Sequence, residues 1–317
     1  MKVNTSFKTF FKTTGIFWVL VFLVIIMSFA SPAFFTQRNL LNIMKQTSIT
    51  SILGVGMTFV LISGGIDLSV GSIIALAGVL ASATAVEELN IPLAVTILVA
   101  VGVGMLCGLA NGLGVAYVGF PPFIMTLGMM TSARGLALVF TNGKPIFGLS
   151  EGFVAVANGT LLKIPNLVYY MAAVMILGYF LLTKTVFGRR VYAIGGNREA
   201  ARLSGVNDKK YTVIIYMISG ILAGFCGLLM CSRITSGNAT VANGYEMNAI
   251  ASAVIGGVSM NGGVGSVLGT LVGALILTII QNSFDILGIN SFYQSVIQGI
   301  IILLAVFLDI RNKSKAV

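Results

Sequence analysis

Residue types that carry out covalent chemistry are scarce in this chain. Its 317 residues include no histidine, nine Asp and Glu together, and three cysteines. Without histidine there is no Ser-His-Asp triad, no Cys-His pair and no His-ligated metal. No GxxxxGK[ST] phosphate loop occurs either, so the chain is not expected to hydrolyse ATP itself. Neither a metal nor a cofactor is expected, and the chain does not read as an enzyme. Cys107, Cys226 and Cys231 fall inside apolar runs without CxxC spacing and read as packing residues.

The carboxylate that asks for a reason is Asp67, in "LISGGIDLSVGSIIAL" (61–76), where its neighbours are Gly, Ser and aliphatic residues. Ser63, Gly64, Gly65 and Ile66 interrupt one apolar run, and Ser69, Gly71 and Ser72 open the next. A broken helix leaves backbone groups unpaired, which hydrocarbon tolerates only where the break is buried in protein or lines a cavity. Asp67 and Ser69 are good N-cap types, whose oxygens accept from the first amides of the helix that follows. Asp67 therefore either caps a helix or lies beside a solute path, as in transporters whose discontinuous helices form their sites. A second glycine-rich break, "GGVSMNGGVGSVLGTLVGAL" (256–275), holds Val264-Gly265-Ser266, an echo of Val70-Gly71-Ser72. The pair points to internal duplication with a path between the halves.

These motifs sit in a chain that is 57% hydrophobic and only 9% charged, against about 25% charged in soluble domains. It is an integral membrane protein. A spanning helix needs about 20 mostly apolar residues, and ten are expected, near 16–30, 40–63, 71–86, 91–112, 122–140, 165–183, 211–232, 247–259, 264–284 and 291–308. Barrel strands would alternate apolar and polar with period two, and no such alternation is present. The expected fold is all-α and polytopic, a single transmembrane domain over 1–317 with about ten helices, some broken. Gly104, Gly108 and Gly112, Gly265, Gly269 and Gly273, and Gly220 with Gly224 repeat at four-residue spacing and read as packing seams.

Seven of the 19 Lys and Arg lie in 184–210, with Lys2, Lys8 and Lys12 in one tail and Arg311, Lys313 and Lys315 in the other. The positive-inside rule places all three groups in the cytoplasm, and six spans before the loop with four after it satisfy that parity. The first run resembles a signal peptide with Ser28 and Ala30 as small cleavage-site residues, but nine more runs follow and its retention is expected. The net charge of +10 reflects topology and anionic lipid, and no nucleic-acid partner is expected.

Three stretches together carry a resemblance: "GGIDLSVGS" (64–72), "GRRVYAIGGNREAARLSGV" (188–206) and "GTLVGALILTIIQNSFDILGINSFYQ" (269–294). They resemble the membrane permease subunits of ribose-type sugar importers, which are binding-protein-dependent ABC transporters, and the likeness covers nearly the whole chain. The resemblance implies the ribose/branched-chain-type permease bundle in a bacterial inner membrane, with both termini cytoplasmic. It also implies a homodimer, or a pair with a related permease, around a central path, an ATPase subunit with two nucleotide-binding domains, and a periplasmic or lipid-anchored sugar-binding protein. Related permeases with other cargo (autoinducer-2, a nucleoside, a branched-chain amino acid) and an ion-coupled secondary transporter are the competing readings.

Within 184–210, 197–205 reads as a short helix: Asn197 is a good N-cap, Glu199 lies in the first turn, Arg202 can pair with Glu199, and Gly205 can end it in the left-handed conformation. Two turns are marginal alone in water, so a groove on the ATPase is the expected support; a solvated positive loop is the alternative. The expected coupling set is Gly188, Arg189, Arg190, Asn197, Glu199, Ala200, Arg202 and Gly205. Few ionisable residues lie inside the spans, which suits a neutral solute such as sugar. The expected path residues are Asp67, Ser69, Ser63, Gln46, Asn111 and Asn261. Arg134 is expected to snorkel to the headgroups, and Lys144, Glu151, Arg233 and Glu246 to face the binding protein.

Overall fold

The computed structural model describes residues 3–313, with side chains from residue 15 to 307 apart from a few positions in the last helix. The tail residues Lys2, Lys8, Lys12, Arg311, Lys313 and Lys315 lie outside the side chains described. In chain order the helices are α1 (Val3–Ala30), α2 (Gln37–Ile62), α3 (Val70–Thr84), α4 (Leu93–Leu113), α5 (Pro122–Thr141), α6 (Glu151–Asn158) and α7 (Asn166–Lys184). Then come α8 (Val186–Gly196), α9 (Arg198–Leu203), α10 (Asp208–Ile234), α11 (Tyr245–Ile255), α12 (Val267–Ile286) and α13 (Ser291–Lys313). Between α6 and α7 a two-residue hairpin pairs β1 (Thr160–Leu161) with β2 (Ile164–Pro165). The fold is all-α and polytopic, as expected.

Among the described residues six helices are long and apolar enough to cross a membrane: α2, α4 with its continuation to Val118, α5, α7, α10 and α12. They coincide with six of the ten expected spans. Two others are corrected by their length. α3 and α11 have 15 and 11 residues, about 22 and 16 Å of helix, too short for a hydrocarbon layer about 30 Å thick. Each is a half-helix that follows a non-helical segment folded back into the bundle, 63–69 before α3 and the turns of 235–244 before α11.

The two half-helices meet end to end. Gly71, in the first turn of α3, packs against the carboxylate of Glu246 in the first turn of α11 and against the Ala242 carbonyl. From there α3 runs to Ser82, beside Gly237 just past the end of α10. α11 runs the opposite way, toward Gly263, whose amide donates to the Ile62 carbonyl at the end of α2 at 2.8 Å. The partner of the 63–69 break is therefore 235–244, "TSGNATVANG", and not the glycine-rich 256–266, which is the turn from α11 into α12. Polar residues made 235–244 look like an outer loop, while glycines made a surface turn look like a break.

α2 and α10 form the centre. α4, α5 and α7 carry their apolar residues largely outward, as lipid-facing helices do, with Leu106, Val139 and Ile176 among the exposed side chains. The α4–α10 seam explains two of the glycine stripes: a Cβ on Gly104 or Gly108 would strike the Gly220 or Tyr216 carbonyl, and one on Gly224 the Ala100 carbonyl. Gly269 and Gly273 pack in the same way on Gly256 and Ser252, but Gly265 lies before α12 and belongs to no helix stripe.

Candidate functional site

Asp67 sits at the bottom of the first break, fully buried. Its Oδ1 accepts from the Ser69 amide at 3.0 Å and the Ser69 hydroxyl at 2.5 Å, and its Oδ2 accepts from Ser219 of α10 at 2.8 Å. Asn111 of α4 donates to Ser69 Oγ at 2.9 Å. Tyr216 and Thr126 both donate to the Ile66 carbonyl, at 3.1 and 3.3 Å. Three helices, α4, α5 and α10, are thus tied to one unpaired stretch of backbone, as burial in an apolar bundle requires. The carboxylate accepts the amide of Ser69, the residue that precedes α3, rather than an amide inside the helix, and Ser69 makes no side-chain cap. Asp67 therefore closes a local turn instead of capping α3.

Of the six expected path residues, Asp67, Ser69 and Asn111 are brought together in this fully buried knot. Ser63 lies at the end of α2 in a groove of about 490 Å³ beside Asn197 and Arg198. Asn261 is exposed in the 256–266 turn, and Gln46 lies at the other end of the bundle. The set is divided among several places.

Arg134 differs from expectation. It does not snorkel: its guanidinium turns inward and donates to the carbonyls of Ala239 and Val241 at 2.6 and 2.8 Å and of Gly71 at 3.3 Å. One cation on α5 thereby satisfies backbone acceptors of both half-helix segments where they meet. Glu246 stands at that same junction, half-buried, because 235–244 folds inward rather than forming a rim. Lys144 and Glu151 are exposed at the end of the bundle that holds α6, and Arg233 is half-buried beside a cavity.

That cavity, of about 360 Å³, opens at the end opposite α8–α9 and is lined by Gln46, Tyr245, Asn248, Gln281 and Gln294. Arg233 and Asp285 also stand in its wall, with Thr50, Met230 and Ile234. Of these residues the sequence marks Gln46 as a path residue and Arg233 as a docking residue, and it assigns the others no role. An uncharged amide inside an apolar run was the signal for Gln281 and Asn248; Ser219 and Tyr245 carry none.

The basic end is organised more fully than a single short helix. Thr185 caps α8 by accepting the Gly188 amide at 3.2 Å, and Gly188 allows the reversal from α7 because a Cβ there would strike the Leu182 carbonyl. Asn197 caps α9 by accepting the Ala200 amide at 2.9 Å, and Gly205 follows with φ +81°. Arg202 pairs with Asp208 at 3.5 Å, not with Glu199, because the left-handed turn at Gly205 brings the next helix start within reach. Arg189, Asn197, Glu199, Ala200 and Arg202 are exposed, and Arg190 donates to the Tyr211 hydroxyl. Leu203 is 86% exposed, an apolar knob on a basic surface.

The inner side of this module rests on chain ends. Gly195 packs directly on the Ile62 carbonyl and on Gly263. Tyr192 donates to the Gly265 carbonyl at 2.7 Å; burial raises its phenol pKa, which keeps it a neutral donor. α8 is therefore seated on the end of α2, where the first break begins, and on the turn that follows the second half-helix, α11.

A family model described as "Branched-chain amino acid transport system / permease component" matches residues 39–306. The ribose import permease protein RbsC of Bacillus subtilis (strain 168) is 43% identical over 302 residues, covering 95% of this chain and 93% of that protein. RbsC of Escherichia coli (strain K12) is 42% identical over 301 residues, covering 93% and 92%. The galactose/methyl galactoside import permease protein MglC of E. coli K12 is 37% identical over 322 residues, 96% of each chain. No solved structure matches the chain.

Proposed function

The chain belongs to the branched-chain amino acid transport system permease family, a family of membrane subunits rather than enzymes, and we propose that it carries a neutral monosaccharide inward on energy from ATP hydrolysis by a separate subunit. Its relatives are named for ribose and galactose import and, in Haemophilus influenzae, xylose transport. The partners are an ATPase with two nucleotide-binding domains at the basic end, a soluble or lipid-anchored binding protein at the other, and a second copy of the permease. The basic end and both termini face the cytoplasm.

The observation that carries this reading is the seat of α8–α9. α9 offers Asn197, Glu199, Arg202 and the exposed Leu203 to a partner, while Gly195 and Tyr192 hold α8 against Ile62, Gly263 and Gly265. Motion imposed on α9 reaches both broken segments without crossing a flexible linker. Exposed Lys144 and Glu151 at the opposite end steer the binding protein.

The test is a Gly-Gly insertion between Ala200 and Ala201, which interrupts α9 and leaves the spans alone. Binding-protein-stimulated ATPase activity and uptake should vanish while the permease remains in the membrane at its usual amount. Undiminished uptake would reject the coupling role.

A further inference from the structure

The cavity at the end opposite α8–α9 is lined in an unusual way. Small-molecule sites are mostly apolar with a few polar groups, whereas here four of the lining side chains are amides. An amide offers both donors and an acceptor, the combination that a ligand bearing hydroxyls on every side requires. Arg233 and Asp285 contribute opposite charges, so the lining carries no net charge.

Hydrogen bonds fix what the amides present. Asn248 Oδ1 accepts from Gln281 Nε2 at 3.1 Å and from Gln298 Nε2 at 2.6 Å. With both lone pairs of that oxygen engaged, the amide is oriented, and among the described residues no acceptor is placed at Asn248 Nδ2. Gln281 Oε1 is likewise without a donor among them. Among the described residues a donor and an acceptor are thus left open on two amides joined by one hydrogen bond, a pair that matches a vicinal diol in which one hydroxyl accepts and its neighbour donates. Tyr245 adds an aromatic side chain to the lining, one residue before Glu246 at the half-helix junction.

We infer that this cavity is a solute-holding site within the single permease chain, and that Asn248 and Gln281 read adjacent hydroxyls of a monosaccharide there. Its volume, about 360 Å³, lies near the lower end of the range of about 300–1,000 Å³ for ligand sites, suited to one sugar ring. The inference rests on the importer reading above and adds to it a place and a ligand chemistry.

The test uses the whole complex of permease, ATPase and binding protein in nanodiscs and in proteoliposomes, with D-ribose, D-galactose, D-xylose and, as a zwitterion complementary to Arg233 and Asp285, L-leucine. Gln46→Cys places a thiol on the cavity wall, and its maleimide labelling is measured above the background of Cys107, Cys226 and Cys231. At least one sugar at about 0.1 M, far above a millimolar Kd, should slow labelling several-fold, and leucine should not. Asn248→Asp, which keeps the shape but removes the donors, should abolish that protection and lower sugar uptake about tenfold, with binding-protein-stimulated ATPase activity retained. Asn248→Leu should act alike, so a charge artefact is separable.

Labelling unmoved by every sugar, protection by leucine alone, or uptake by both Asn248 variants at the parental rate would each overturn the inference. Protection without uptake by the parent complex supports the cavity and rejects the importer. Uptake without protection does the reverse.

Discussion

Removing Arg134 should weaken the permease where its two half-helices meet. The guanidinium makes two short bonds, to Ala239 and Val241, and a longer one to Gly71. Hydrogen bonds from a charged donor are worth about 1.5–3 kcal/mol each in soluble proteins, while polar contacts inside membrane proteins average about 0.6 kcal/mol. The two short bonds then give about 1–6 kcal/mol for Arg134→Met, the lower end being the membrane-protein value. Arg134→Lys should recover less than half of this, because an ammonium cannot span three carbonyls in a planar fork. Unfolding can be followed with a thiol-reactive dye, since Cys226 and Cys231 are free thiols that stay buried until the bundle opens. Both variants should melt below the parent, Arg134→Met lowest. An arginine that merely reached the headgroups would be replaced by lysine without effect, and equal melting of the three proteins would refute the internal role.

At the first break, Asp67→Asn replaces an acceptor facing Ser69 or Ser219 with a donor and should cost about 2 kcal/mol in the same melting assay; Ser219→Ala should cost less, and unchanged melting of Asp67→Asn would show that the knot is not needed. In the α4–α10 seam, Gly104→Ala should lower the amount of folded permease, because its Cβ has only backbone to displace, whereas Gly102→Ala, with open space around it, should not; membrane quantification of the two variants decides it. Tyr192→Phe keeps the ring of α8 and deletes its bond to Gly265, so sugar uptake should fall several-fold while ATPase co-purification stays constant; parallel loss of both would place the residue in ATPase binding instead.

How much of this was legible beforehand depends on whether the signal was local. α9 was readable residue by residue, because Asn197 and Gly205 act on their own backbone within a few positions. The long spans were readable because an apolar run of 20 residues has few alternatives. The half-helices were not: 71–86 and 247–259 are as apolar as spans, and only the folding-back of 63–69 and 235–244 shows that each covers part of the depth. The true partner break was hidden for the same reason, since Gly237 and Gly244 among polar residues look like a surface loop. Arg134 was misplaced because its acceptors lie about a hundred positions away in "NATVANG", where no spacing rule reaches. Asp67 stood out as a lone carboxylate among Gly, Ser and aliphatic residues, yet its bond to Ser219 is likewise a product of tertiary packing.

The central claim is that this chain is a conduit moved from outside by a nucleotide-driven partner acting through α8–α9. Solute accumulation in sealed proteoliposomes tests it most directly. Vesicles holding the permease with its ATPase and binding protein should concentrate labelled sugar when ATP is supplied on the ATPase side, and vesicles holding the permease alone should not, with or without a proton or sodium gradient. Concentrative uptake by the lone polypeptide under an ion gradient would contradict the account.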